Sequence, residues 1–319
     1  MEEVRSMPSK IVVVTGPTAT GKTRLGILLS QVKNGEVVSA DSMQVYRRMD
    51  IGTAKPRPEE TCGVPHHMID VAEPDEPFSV ARYVDEASRA CDGILARGKL
   101  PIVVGGTGLY IDSLVSGRSF ALRDDGGICR KELNERYDEI GGQAMWTELS
   151  QFDPLRAAKL HPSDKKRIVR AYEVWLLSGK TITEHDEETK KNPPQYEAAT
   201  IALDFKDRAA LYARIDGRVD EMVRDGLFEE VRALLDSGLS DQCTAMQAIG
   251  YKEAAQALRG QISREEAIDR IKQGSRRYAK RQLTWLRARQ DVFWLRWDSN
   301  PNFDVALRLS TDFLSARGI

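Results

Sequence analysis

A phosphate-binding loop is the feature that most constrains how this chain can fold. In "IVVVTGPTATGKT" (residues 11–23), an apolar β-branched run precedes Gly16, and Gly21, Lys22 and Thr23 follow after four further residues. Such a loop joins a buried strand to a helix, so that backbone N–H groups and the positive helix end surround phosphate oxygens. Lys22 supplies a point charge and Thr23 can ligate Mg²⁺. The usual ligand of such a loop is a nucleoside triphosphate.

Further β-branched runs, each followed by a polar or glycine-rich loop, predict the other strands of a parallel sheet. Helical patterns over 22–33 and 80–98 separate the first three strands, as in a doubly wound α/β fold. We therefore predict an α/β fold with a P-loop NTPase-like core. The predicted strands are 10–16, 35–41, 100–108, 198–205 and 292–298.

The character of the sequence changes in the middle of the chain. Residues 119–196 are charged and helical in pattern, with scattered Gly and Pro, and predict a small helical insertion domain. Residues 1–118 and 197–319 then form the core domain, whose C-terminal part is a long helical stretch from 208 to 289. Breaks in this stretch are expected near Gly238 and Gly260.

Composition narrows the class of protein. With 319 residues, 41% of them hydrophobic, the chain can bury an ordinary core. It has no apolar run of the roughly 18 to 20 residues that span a bilayer, and its N-terminus lacks the pattern of a signal peptide. We expect a cytoplasmic monomer with no membrane partner. The separated cysteines and the adjacent pair His66 and His67 do not have metal-site spacing, and we expect the histidines to pack in a loop.

Two basic segments stand out against a net charge of −1. Residues 272–289 contain seven Lys and Arg and no acid, and spacings of four place several of these cations on one side of a helix. A solvated helix face is the alternative, but such faces usually mix charges of both signs. The second segment is "KKRIVR" (165–170). Clustered cations of this kind are typical of surfaces that bind nucleic acid.

The acid expected near the phosphate-binding loop follows a different strand from the usual one. A nucleotide hydrolase usually carries a Mg²⁺-holding acid at the end of a neighbouring apolar strand. Here the third predicted strand ends in "GGTG", and the acid is Asp41, at the end of the second. These residues predict a P-loop transferase with two substrates and leave the transferred group open. A small-molecule kinase, with ATP in the loop and Asp41 as base, fits the same residues.

Several long motifs occur along the chain in an order that is typical of one protein family. They are "GPTATGKT", "SADSMQVYRRMDIGTAKP", "GVPHHMID", "VGGTGLYI", "RIDGRVDEM", "AIGYKE" and "RRYAKRQLTW". From about residue 10 to residue 290, the chain resembles the tRNA dimethylallyltransferases, the isopentenyl-diphosphate:tRNA (IPP) transferase family. This resemblance implies transfer of a dimethylallyl group from dimethylallyl diphosphate to N6 of adenosine 37 in the tRNA anticodon stem-loop, with Mg²⁺ as cofactor.

The resemblance implies a role for the loop as the binding site of a leaving diphosphate. Arg214 and Arg218 of "RIDGRVD" would approach the same diphosphate; the alternative is salt bridges with Asp216 or Asp220. Thr23 would also hold the metal. The loop residues concerned are Gly16, Pro17, Thr18, Ala19, Thr20, Gly21, Lys22 and Thr23.

The resemblance also implies where the acceptor adenosine binds. Asp41 would accept the N6 proton, and Thr107 would place its hydroxyl near the same amine. The alternatives are a helix N-cap for Asp41 and a structural turn for Thr107. The residues Ser42, Met43 and Gln44 would line the adenine pocket.

The remaining tRNA contacts follow from the two basic segments. The family has a "QR-x-x-R" stretch where this chain has Lys166 to Arg170, so Arg167 and Arg170 carry over while Lys166 replaces the usual Gln. A kinase would instead need an Arg-rich lid over ATP, and the insertion is its only candidate; a non-catalytic RNA-binding protein is a third interpretation. The predicted tRNA-contacting residues are Lys166, Arg167, Ile168, Val169, Arg170, Arg276, Arg277, Lys280 and Arg281.

Overall fold

A parallel sheet forms the centre of the larger of two compact units. The computed structural model describes residues 8–117, 127–191 and 193–319. Within these ranges one sheet contains six strands, in the order β3-β2-β4-β1-β5-β6, and every neighbouring pair is parallel. The predicted α/β class is confirmed. The strands are β1 (Ser9–Thr15), β2 (Gly35–Ala40), β3 (His66–His67), β4 (Leu100–Gly105), β5 (Tyr196–Phe205) and β6 (Val292–Trp297).

The composition of the strands explains their central position. Ile11 to Val14 of β1 are 0% exposed, and β2 is buried along its whole length. A strand covered by helices on both faces is apolar at successive positions, which is why these runs could be recognised. Sequence reasoning missed β3, because His66 and His67 are too few to show any periodicity.

Helices cover the sheet and form a second core beside it. Polar side chains begin several of them: Ser79 accepts from Arg82 N, and Ser263 accepts from Glu266 N. Among the described residues, no helix is long and apolar enough to cross a bilayer. The helices of this unit are α1 (Lys22–Val32), α2 (Val80–Ala96), α3 (Gly108–Ser116), α9 (Arg208–Arg224), α10 (Leu227–Asp236), α11 (Tyr251–Leu258), α12 (Arg264–Arg287) and α13 (Phe303–Ala316).

The second core joins the segment after β2 to the C-terminal helices. Tyr46 and Met49 of that segment are buried with Phe228 of α10 and Tyr251 of α11. The predicted helical stretch contains one more break than expected, because Gly226 adopts a φ of +105° and separates α9 from α10. This core fixes the chain that follows Asp41.

The two compact units are Met1–Gly117 with Gln195–Ile319, and Arg118–Pro194. The predicted boundary at 118–119 lies outside the described residues. At the edge of the larger unit, Gln195 N donates to Val115 O at 3.0 Å, so the chain leaves this unit and returns to it at neighbouring positions. The second unit is helical: α4 (Ile128–Ile140), α5 (Gly142–Phe152), α6 (Pro154–Ala157), α7 (Lys165–Ser178) and α8 (Ile182–Lys191).

The strand order determines which loops meet. All strands are parallel, so their carboxyl ends lie at one edge of the sheet, where ligands bind in α/β folds. Because β4 lies between β2 and β1, the loop after β4 separates Asp41, after β2, from the phosphate-binding loop after β1.

Candidate active site

The phosphate-binding loop lies between β1 and α1 and contacts residues of the neighbouring strands. Gly16 has a φ of +145°, and a Cβ there would meet Leu203 O at 2.4 Å. Thr20 Oγ1 donates to Pro17 O at 2.8 Å, and Trp297 Nε1 donates to Thr20 O at 3.0 Å. Strands β5 and β6 thus fix a loop whose conformation requires glycine at its start.

Two arginines of α9 lie beside this loop. Arg214 Nε donates to Ala19 O at 3.2 Å. The Nε of Arg218 is buried, and no described residue accepts a hydrogen bond from it. The alternative pairing with Asp216 and Asp220 does not form, because those acids pair with Arg and Lys side chains of α12. The structure therefore brings both arginines to the loop.

The loop lysine lies among charges of both signs. Lys22 Nζ donates to Pro17 O at 2.8 Å. Burial and, to a smaller extent, the guanidinium of Arg218 lower the pKa of Lys22 to about 8, against the opposing effect of the carboxylate of Asp41. Lys22 is therefore close to both groups, and an anion bound at this point would favour its protonated form.

The ends of β2 and β4 are joined by hydrogen bonds. Thr107 Oγ1 accepts from Ser42 N at 3.1 Å, and Thr107 N donates to Ala40 O at 3.1 Å. Asp41 Oδ1 accepts from Met43 N at 2.9 Å, which closes a tight turn rather than capping a helix. Asp41 and Ser42, which belong to one motif, thus lie beside Thr107, which belongs to another.

The residues after Ser42 are engaged with their own chain. Gln44 Oε1 accepts from Ser39 Oγ at 3.1 Å, and Gln44 Nε2 donates to Thr53 O and Ala54 O, both at 3.3 Å. Met43 packs against the second core. The amide of Gln44 therefore stabilises the loop in which it lies, which is a structural function that the sequence did not predict.

A carboxylate from α10 anchors the same loop. Glu230 Oε2 accepts from Asp50 N and Ile51 N, both at 2.8 Å, and Oε1 accepts from Gly52 N at 3.2 Å. Tyr251 donates its hydroxyl to Glu230 Oε1 at 2.5 Å. Consecutive backbone N–H groups of this kind form an anion-binding nest. Sequence reasoning missed Glu230, since nothing local distinguishes it from other helical acids.

A buried glutamine of α12 joins the phosphate-binding loop to the end of β4. Gln282 Oε1 accepts from Thr18 N at 3.0 Å, and Gln282 Nε2 donates to Gly106 O at 3.0 Å. The residue is 6% exposed. Sequence reasoning missed it, although Gln282 interrupts the apolar face formed by Ala279 and Leu283, and a polar residue on such a face is a usable signal.

Tyr278, one turn earlier on α12, faces the same place. Burial and the carboxylate of Asp41 raise the pKa of its hydroxyl to about 12, while interactions with Thr107 and Gln282 act in the opposite direction. Helix α12 therefore covers the strand ends with its buried face. Sequence reasoning assigned this helix only to RNA backbone binding.

Part of the basic segment 272–289 lies on the exposed face of α12. Arg277, Lys280 and Arg281 are exposed, and within the described ranges no acid lies within 4.0 Å of their charged groups. Arg276 differs, because its Nη1 donates to both carboxylate oxygens of Asp216, at 2.5 and 2.7 Å. Arg276 thus connects α12 to α9, and its contact with tRNA stays a prediction.

The predicted tRNA-contacting residues of α7 divide into two groups. Lys166 and Arg167 are exposed. Ile168 and Val169 are 0% and 3% exposed in the core of the helical unit, and their place among the tRNA-contacting residues stays a prediction. Arg170 Nη1 donates at 2.7 Å to the buried glutamate three residues later. Of these residues, only Lys166 and Arg167 are exposed and carry a charge that no buried acid neutralises.

No cluster of metal-binding side chains occurs in the part of the chain that the structure describes. Thr23 lies half-buried in the first turn of α1, and its hydroxyl has no hydrogen-bond partner among those residues.

His67 Nε2 hydrogen bonds with Glu36 at 2.7 Å, and His66 pairs with β2 as part of β3. The histidines are thus strand residues, where a loop was expected.

Comparisons with known proteins agree with this geometry. The family model described as IPP transferase matches residues 44–289, and a model described as isopentenyl transferase matches residues 9–72. The chain belongs to the IPP transferase family. It is 46% identical over 312 residues to a tRNA dimethylallyltransferase of Thermoanaerobacter sp. (strain X514), with 98% of this chain and 99% of the relative covered.

Solved structures of the family are also similar. The tRNA isopentenylpyrophosphate transferase of Bacillus halodurans has a TM-score of 0.72 at 42% identity, with 97% of this chain and 96% of that chain covered. A eukaryotic dimethylallyltransferase, described as acting on tRNA, has a TM-score of 0.79 at 31% identity, with 97% and 80% covered. The similarity to the family therefore covers the fold and nearly the whole length of the chain.

Proposed function

We propose that this protein transfers a dimethylallyl group from dimethylallyl diphosphate to N6 of adenosine 37 in tRNA and releases diphosphate. The observation that carries the proposal is the meeting of the phosphate-binding loop with Asp41 and Thr107 at one edge of the sheet, in a chain of the IPP transferase family. The names of its relatives support the same reaction.

The loop and its cations receive the leaving group. Cleavage of the bond between the allylic carbon C1 and the diphosphate oxygen leaves the electron pair on diphosphate, so the developing charge must be neutralised. Loop N–H groups, Lys22 and the two arginines of α9 lie where they can do this. Arg218 is the strongest candidate for direct contact, since its buried Nε lacks a partner among the described residues.

Asp41 and Thr107 align the acceptor. The exocyclic amine of adenine is a poor nucleophile, because its lone pair is delocalised into the ring, and it must lose a proton as the bond from N6 to C1 forms. Asp41 accepts that proton, using the carboxylate that its turn with Met43 holds in place. Thr107, fixed by Ser42, orients the amine.

Mg²⁺ is proposed as the cofactor. The described residues form no cage of acids, which suits an ion that is held mainly by substrate phosphates and water. The hydroxyl of Thr23 is the protein ligand that fits. The ion would supply additional positive charge to the leaving diphosphate.

The acceptor is a base in a folded RNA loop, and it must be unstacked to reach Asp41. Exposed cations on α12 and α7 are proposed to bind the phosphates around it; they are Arg277, Lys280, Arg281, Lys166 and Arg167. We further propose that the protein acts as a cytoplasmic monomer without a membrane partner.

One assay distinguishes this function from that of a small-molecule kinase. The protein is incubated with unmodified tRNA, dimethylallyl diphosphate and Mg²⁺, and diphosphate release, ATP consumption and the mass of the tRNA nucleosides are measured. We expect release of one diphosphate for each N6-dimethylallyl-adenosine formed, without ATP. Consumption of ATP, or unchanged nucleosides, would contradict the proposal.

A further inference from the structure

The segment that carries Thr107 is held on both sides by helix α12. Thr107 lies between Gly106 and Gly108, and neither glycine has room for a side chain. A Cβ added at Gly106 would meet Gln282 Nε2 at 2.0 Å. One added at Gly108 would meet the indole ring of Trp285 at 2.5 Å. Because Gln282 and Trp285 are three residues apart, one face of α12 contacts the backbone immediately before and after Thr107.

The contact after Thr107 is fixed by side chains of α3 and the end of α12. Trp285 Nε1 donates to Asp112 Oδ2 at 2.7 Å, and the guanidinium of Arg289 donates to the other oxygen of the same carboxylate. These bonds keep the indole ring against Gly108, at the start of α3. Helices α12 and α3 are therefore oriented against each other next to Thr107.

The contact before Thr107 also reaches the phosphate-binding loop. Gln282 Oε1 accepts from Thr18 N at 3.0 Å, and Gln282 Nε2 donates to Gly106 O at 3.0 Å. The side chain is 6% exposed, and its neighbours Ala279 and Leu283 are 0% and 2% exposed. Both hydrogen bonds are thus shielded from water, and an apolar side chain could not replace them. One buried amide therefore fixes the distance between the loop and the end of β4.

We propose that Gln282 is a positioning residue for the transfer step, because it fixes the distance between the loop that binds the donor's diphosphate and the hydroxyl of Thr107. This role rests on the proposed function and adds to it a residue that acts on both halves of the site through the protein. The acceptor amine must be aligned with the breaking C1–O bond, so a shift of about 1 Å between the halves can lower the rate about 10²-fold. Affinity for each substrate depends mainly on contacts within its own half, so it should change much less than the rate.

The test compares the full-length wild type with Gln282→Met in single-turnover prenylation of tRNA, with enzyme in excess. Met has nearly the length of Gln but no amide, so the space stays filled while both hydrogen bonds are lost. We expect the rate at saturating donor to fall at least about tenfold, while the half-saturating donor concentration and the dissociation constant for tRNA change less than about threefold. Gln273→Ala, which replaces an exposed glutamine of the same helix, should leave all three quantities unchanged.

A double-mutant cycle shows whether Gln282 acts through Thr107. Thr107→Ala removes the hydroxyl that Gln282 is proposed to position, so adding Gln282→Met to it should lower the rate by less than about a further twofold. A residue that only stabilised the fold would not have an effect that depends on the hydroxyl of Thr107.

A second substitution covers the case in which Gln282→Met is unstable, as shown by its midpoint of thermal unfolding. Gln282→Asn keeps an amide but is one methylene shorter, so it cannot reach Thr18 N and Gly106 O together, and we expect a similar fall in rate. A rate within about threefold of wild type in either folded variant would overturn the proposal. So would a fall by the same factor in the Thr107→Ala background, or a loss confined to the affinity for one substrate.

The wild-type rate separates this role from the proposed function. A wild type that forms no N6-dimethylallyl-adenosine would contradict the proposed function, and the role of Gln282 in that transfer with it. An active wild type whose rate does not respond to Gln282→Met would contradict the role of Gln282 alone.

Discussion

At the scale of single residues, Asp41 combines a structural contact with its proposed chemistry, and the two can be separated. Asp41→Asn keeps an oxygen that can accept from Met43 N, so the turn is preserved, but it removes the proton acceptor. We expect the single-turnover rate of prenylation to fall by about 10² to 10⁴-fold, the usual contribution of a general base.

The measurement is a single-turnover assay with enzyme in excess over tRNA, together with the dissociation constant for tRNA, which should stay within about twofold of wild type. Asp75→Asn, an exposed carboxylate in the loop before α2, is the matched control. A near-normal rate in Asp41→Asn would remove Asp41 from the proposed mechanism.

The lowered pKa of Lys22 predicts a pH dependence. The amine must be protonated to bind diphosphate, and the free protein holds its pKa at about 8, so kcat/KM for dimethylallyl diphosphate should fall as the pH rises through about 8. Lys22→Arg remains charged over the same range and should lose this fall, although its absolute rate will be lower. Initial rates at subsaturating donor, compared between the two proteins, check this. An identical fall in both would assign the titration to another group.

At the scale of elements, Glu230 links α10 to the loop that follows Asp41. Glu230→Ala leaves the N–H groups of Asp50, Ile51 and Gly52 without their acceptor, and we expect it to lower the free energy of unfolding by about 3 kcal/mol. Glu229→Ala, an exposed neighbour, should cost less than about 1 kcal/mol. Urea denaturation measures both, and equal effects would show that the nest contributes no stability.

The exposed face of α12 has a separate prediction. Replacing Arg277 and Arg281 together by Ala should weaken tRNA binding and reduce the slope of log K against log salt by about two, because each arginine is expected to neutralise one phosphate. Arg308→Ala, an exposed cation on α13, should leave the slope unchanged. Filter binding at several salt concentrations gives the slopes. A slope that the double variant does not alter would place the phosphate-binding residues elsewhere.

At the scale of the whole molecule, a buried carboxylate makes the fold sensitive to acid. Glu36 of β2 is 3% exposed and accepts from Lys99 Nζ at 2.9 Å, Arg97 Nη2 at 2.7 Å and His67 Nε2 at 2.7 Å. Burial alone would raise the pKa of Glu36, but these hydrogen bonds outweigh it and lower the pKa from 4.5 to about 2. The edge of the sheet is thus held by an ionised acid.

Because this pKa is lower in the folded state, Glu36 stabilises the fold fully above the unfolded value of 4.5 and loses that contribution as the pH falls toward about 2. We expect the midpoint of urea unfolding to fall over this range, and Glu36→Gln, which does not titrate, to show a smaller fall from a less stable starting point. If the midpoint of urea unfolding fell equally with pH in the two proteins, Glu36 would not be the group that makes the fold sensitive to acid.

Much of this architecture could be predicted because its signals are local. The β-branched runs and the glycine spacing that specify β1, β4 and the loop lie within short windows, and Asp41 and Thr107 each follow directly from a strand end. Gln282, Glu230 and the pairing of Arg276 with Asp216 could not be predicted in this way, because each depends on a partner from a distant part of the chain. The burial of Ile168 and Val169 could not be predicted either, because a motif does not show which of its positions face a core.

The return of the chain beside its point of departure, at Val115 and Gln195, gives the protein a modular construction. Residues 118–194 are an insertion in the sequence between two positions of the larger unit, Val115 and Gln195, that are hydrogen-bonded to each other. The entropy of closing such an inserted segment rises only slowly with its length, by about 0.6 kcal/mol for each doubling. Changes in the length of the helical unit therefore cost little free energy and need not disturb the register of the strands on either side, so the helical unit and the sheet can diverge at different rates.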